Sequence, residues 1–132
     1  MTEPRIPWQE KVAKVRSEGV LGMQLYAIFT TPTNGLGPVL ENMGPHLAYQ
    51  KKLEEDGVLF AAGPFADDDE QVWSGEGMVI VRAASPEAAR EIASADPMHQ
   101  SGARSCRVRP WLLNEGSLNL RVTYSDGGRT IA

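Results

Sequence analysis

The stretch Gly77-Met78-Val79-Ile80-Val81-Arg82-Ala83, with Ser85-Pro86-Glu87 close behind it, decides the fold. Its apolar residues fall on both parities, Val79 and Val81 against Met78 and Ile80, the pattern of a strand covered on both faces. Ser85 then offers an N-cap, Pro86 a first helical position and Glu87 an acid for the first turn, so strand gives way to helix within a few residues. Ala88, Ile92 and Ala95 supply that helix with an apolar stripe. Pro97 disfavours a helical conformation for Asp96, and the helix should stop there.

Working outward, residues 58–62 read as a short strand ending at Gly63-Pro64, separated from the first stretch by an acidic loop, Asp67 to Glu70. Ahead of it lies a helix entered at Pro38 and re-entered or kinked at Pro45, because an interior proline removes a hydrogen bond and crowds the preceding turn. Leu40, Met43, Leu47, Gln50 and Leu53 lie near one stripe of that helix, and Gly57 caps its end. Residues 23–30 form another strand with apolar side chains on both parities, followed by a Gly- and Pro-rich loop over 31–38. Residues 105–111 alternate Cys106, Val108 and Pro110 with Arg107, Arg109 and Trp111, which gives a fourth strand and places Cys106 as an inert core thiol.

The order β-α-β-β-α-β makes the class α+β, a ferredoxin-like antiparallel sheet with both helices on one face. The other face would be bare, yet the strands at 23–30 and 77–83 are apolar there too, and a second copy is the cheapest cover. A homodimer with a shared, barrel-like core is therefore expected. The chain of 132 residues, 42% of them hydrophobic, is read as a single domain of residues 1–132 with a core at 23–111. An N-terminal extension, 1–22, carries an amphipathic helix from about residue 7 to 18. A C-terminal extension, 112–132, holds a strand-like run of Leu118, Leu120, Val122 and Tyr124 and then a frayed tail.

Composition excludes several functions. A net charge of −4 argues against a phosphate-backbone partner, so no nucleic acid is expected. No run approaches the roughly 18 apolar residues of a membrane span, and the first 19 residues carry charge where a signal peptide would be apolar. With Cys106 the one cysteine, no intrachain disulfide can form, and a cytoplasmic location fits. Asp67 to Glu70 lacks the spacing of a calcium loop, and no metal site or cofactor is predicted.

The chemistry-bearing residues are His46, near the start of one helix, and Asp96, at the end of the other. An unperturbed imidazole titrates at roughly pH 6.5, and a carboxylate beside it fixes one tautomer, so such a pair can take or give a proton near neutrality. Side-by-side helices can bring the two together, in a cleft whose walls should include the loop at 31–38. Met43, Tyr49, Trp73, Met98 and His99 are the candidates to bind a small organic substrate around the pair.

Pro45-His46-Leu47 through Gly57 to Ala62-Gly63-Pro64, then Glu87-Ala88-Ala89, Ala95-Asp96-Pro97, Gly102 and Pro110-Trp111, resembles the YCII-related family of small bacterial proteins, over about residues 23–111. The resemblance implies a dimeric α+β barrel with an active site on the family's His and Asp, matched here by His46 and Asp96. It suggests elimination or isomerisation of small ring-derived or carbonyl compounds. Family members often carry an arginine three residues before the His, where this chain has Met43. Two other classes stay open: a non-catalytic module that binds a small molecule in the same cleft, and an oxygenase of the wider dimeric-barrel superfamily, with haem or no cofactor.

Overall fold

The computed structural model describes residues 3–132, so the first two residues of the leader lie outside the described residues. The chain forms two compact units, one of Gln24–Leu112 and one of Met1–Met23 with Leu113–Ala132. In the larger unit the elements are β1 (Met23–Pro32), α2 (Leu36–Glu41), α3 (Met43–Glu55), β2 (Leu59–Pro64), β3 (Gly77–Val81), α4 (Pro86–Ser94), α5 (Pro97–Gln100) and β4 (Arg104–Leu113). The helix α1 (Trp8–Ser17) precedes them, and a hairpin of β5 (Leu120–Val122) and β6 (Arg129–Ile131) follows.

The sheet runs β2-β3-β1-β4, with β1 and β2 both antiparallel to β3, which is the ferredoxin-like order. Tyr26 stands opposite Val81 and Ile28 opposite Val79, and these four pack with Ala89 and Ala93 of α4. Alternation thus sends one parity of each central strand under the helices. A register shift between Leu59 and Ala61 leaves Phe60 bulged out of β2.

Local chemistry explains the helix ends. The Ser85 hydroxyl accepts from the Ala88 amide at 3.1 Å, the expected N-cap. Gly57, at φ +74°, closes α3, and the Val58 amide donates to the Leu53 carbonyl at 2.9 Å. The break between α2 and α3 falls at Asn42, not at Pro45. Proline is tolerated in the first turn of α3 because its missing N–H would have no intrahelical acceptor.

Other expectations need correction. The residues that α4 buries are Ala89 and Ala93, with Ile92 partly buried beside them; Ala88 is half-buried and Ala95 is exposed. Leu40 and Leu47 are exposed as well. Cys106 is exposed, not a core residue; the partial shelter around its thiol, and secondarily the charge of Asp96, raise its pKa. On the sheet face opposite the helices, Leu25, Ala27 and Ile80 are already buried in the single chain. The tail does not fray either. It forms β6, which pairs Leu120 with Ile131 and Val122 with Arg129 in a two-stranded sheet of its own.

In the smaller unit α1 buries Val12 and Val15. No described helix is long and apolar enough to cross a membrane.

Candidate active site

The corner between α4 and α5 builds the centre of the site. Asp96 adopts extended backbone because Pro97 follows it, and that frees its carboxylate to cap α5. Its Oδ1 accepts from the Met98 amide at 2.9 Å. His46, in the first turn of α3, points across at the same carboxylate. The His46 Nδ1 lies 2.9 Å from Oδ1 and 2.8 Å from Oδ2 of Asp96. Both residues are buried, at 6% and 5% exposure, so the pair sits where a polar contact is worth most and its loss costs most.

An acceptor-only carboxylate at Nδ1 puts the ring proton there and leaves Nε2 with its lone pair. That nitrogen has no hydrogen-bond partner among the described residues, and His46 lines a cavity of about 380 Å³ between α3 and the sheet. Met43 and Leu47 of α3, Ala62 and Pro64 of β2, and Met78 and Val79 of β3 give this cavity a mostly apolar wall, to which Thr30, Gln50, Trp73 and Arg104 add polar groups. Gly77 also lines it, and a β-carbon there would come within 3.2 Å of the Gly63 carbonyl.

The predicted site residues divide. His46 and Asp96, fifty positions apart, are hydrogen-bonded, and Met43 and Trp73 reach the cavity. Tyr49, Met98 and His99 do not line it. The Tyr49 hydroxyl donates to the Ile92 carbonyl at 2.7 Å and so ties α3 to α4; its burial and then the Asp96 charge raise its pKa. Met98 is fully buried with Val39 and Ala103. His99 donates from Nδ1 to the Ala93 carbonyl at 2.6 Å, so in the neutral ring Nε2 accepts from the Thr30 hydroxyl at 3.0 Å. The loop at 31–38 forms no part of the wall, because β1 extends through Pro32 and α2 begins at Leu36.

Arg104 escaped the sequence reading. It opens β4 on the same parity as Val108 and Leu112, and an arginine on the core-facing row of a strand is the signal that would have found it. Its side chain is buried, with Nε donating to the Gly75 carbonyl at 2.9 Å. Burial lowers its pKa and the nearby Asp96 charge opposes that, but a guanidinium stays charged under either influence. The acidic loop is self-contained, since both Asp67 carboxylate oxygens accept from the Ser74 hydroxyl. No group of three or more potential metal-binding side chains occurs among the described residues.

A family model for the YCII-related domain matches residues 24–112. A solved structure of similar fold is the 5-chloro-2-hydroxyhydroquinone dehydrochlorinase TftG from Burkholderia phenoliruptrix AC1100, in complex with 2,5-dihydroxybenzoquinone. The match has a TM-score of 0.53 at 21% identity and covers 66% of this chain and 92% of that one, a likeness of fold. No curated protein matches the chain.

Proposed function

This chain belongs to the YCII-related family, and from that premise we propose that it is a small-molecule acid–base enzyme of lyase or isomerase type, using His46 and Asp96. The observation that carries the reading is the buried Nδ1-to-carboxylate contact at 2.8 Å behind an unpartnered Nε2 on the wall of an apolar cavity. Nε2 takes a proton from a carbon next to a carbonyl, or from a ring hydroxyl conjugated to the carbon that bears the leaving group. The freed electron pair forms a double bond, either as the leaving group departs with its own pair or as the carbonyl π pair moves onto its oxygen to give an enolate. Asp96 stabilises the imidazolium that results and holds its orientation. The fold neighbour named as a dehydrochlorinase supports elimination over other proton transfers.

The test offers the protein 5-chloro-2-hydroxyhydroquinone, with chloride release as the readout, and small cyclic ketones in deuterated water, with carbon-bound hydrogen exchange as the readout. Turnover should be abolished in His46→Gln. Asp96→Asn still accepts from the Met98 amide but offers the ring a donor, which turns the tautomer over, and the rate should fall by about 10²- to 10⁴-fold. His46→Ala is a poorer probe than a helix-edge position would suggest, because removing a buried ring strands the carboxylate at a cost of about 1–3 kcal/mol. Binding without turnover would make the cleft a binding module instead.

A further inference from the structure

We infer that Arg104 is the residue that receives the substrate's anionic oxygen, which makes the substrate class a small, mostly apolar molecule with one ionisable enol or phenol oxygen. The inference deepens the acid–base reading of the same cavity and rests on it for the site. Three observations carry it.

Arg104 is 6% exposed and lines the cavity that His46 lines. Only its Nε is bonded to protein, at the Gly75 carbonyl, and it forms no ion pair among the described residues. Its four Nη hydrogens have no acceptor, yet the Nη atoms are absent from the buried and unsatisfied polar groups of the described residues, which comprise Asn114 Oδ1 alone. They therefore keep accessible surface, and the cavity is the space that Arg104 lines. A guanidinium withdrawn from water without a counter-charge is costly, and an oxygen anion in the cavity offsets that cost with two parallel, charge-assisted hydrogen bonds.

The carboxylate of Asp96 cannot serve as that counter-charge by contact, since Oδ1 is taken by His46 and the Met98 amide and Oδ2 by His46. Apart from Thr30 and Gln50, which carry no charge, the remaining wall is apolar through Met43, Ala62, Met78 and Val79, which suits a flat carbon skeleton and not a polyanion. Proton removal next to a carbonyl gathers negative charge on its oxygen, and a preorganised donor pair at that oxygen is where binding turns into rate.

4-Nitrophenol tests this without turnover, because its phenolate is read directly by absorbance. Bound to the full chain, it should ionise about one pH unit below the free compound, a tenfold bias to the phenolate. Arg104→Met should erase the shift. Arg104→Gln, whose amide can still donate to the Gly75 carbonyl, should erase it too and carries the test if the Met variant does not fold. His46→Gln should retain the shift while losing chloride release, so the two readings fail separately. Failure of 4-nitrophenol to bind at millimolar concentration overturns the inference. So does an undiminished shift in a folded, neutral Arg104 variant.

Discussion

At the residue scale, Gly75 is where the site depends on a missing side chain. Its φ is +106°, and a β-carbon there would lie 2.7 Å from the Pro32 ring carbon Cγ. Its carbonyl is also the one acceptor of the buried Arg104 among the described residues. Gly75→Ala should thus cost about 1–3 kcal/mol through backbone strain and overpacking, read as a lowered denaturation midpoint. An unchanged midpoint would mean that the loop relaxes freely. His46 and Asp96 were legible because a proline stands beside each: Pro45 is tolerated in the first turn of a helix, which places its neighbour near that helix's start, and Pro97 extends the residue before it. Arg104 was not, because it lies just before the strand read at 105–111 and a charged residue at a strand end ordinarily faces water, although it shares the parity of Val108.

Among the elements, the central strands could be read because their apolar residues fall on both parities, and α4 because Ser85 and Pro86 announce its start. The connection from β1 to α3 was harder. Leu36-Gly37-Pro38 is a poor helix start by propensity, yet Val39, fully buried against Met98, holds α2 in place by packing. The β5–β6 hairpin was half seen for a similar reason, since Arg129-Thr130-Ile131 is too short to show a period. Leu118, Leu120, Val122, Tyr124 and Ile131 are all more than half exposed, and an isolated two-stranded hairpin is marginal in water. Truncation after Leu113 should lower the melting temperature by about 2–8 °C or loosen an assembly that covers these side chains. A truncated chain with the same melting temperature and mass would show the hairpin to be dispensable.

For the whole molecule, the order of the core elements followed from the sequence because each boundary has a local cause. Which faces stay open did not, since burial is settled by packing that no single strand encodes. Leu25, Ala27 and Ile80 being covered within one chain weakens the sheet-face reason for a second copy; Met23 and Phe60, at 36% exposure, and Trp111, at 39%, are among the apolar strand side chains left open. The homodimer stands as a prediction: sedimentation at micromolar concentration should report two chains, and Trp111→Glu should shift the population toward one by burying a charge in the interface. A monomer in the unaltered protein would leave the cavity complete within each chain.

Asp96 Oδ1 accepts from two donors at once, the imidazole of His46 and the amide of Met98. One oxygen therefore joins a reactive group to a backbone proton that any amide spectrum displays. Whenever the ring gains or gives up its proton, the charge drawn toward Oδ1 changes, and the Met98 N–H resonance moves with it. The fold thus carries its own indicator dye: a single backbone signal, sealed from solvent, from which the state of the pair can be followed in the resting protein with no substrate present.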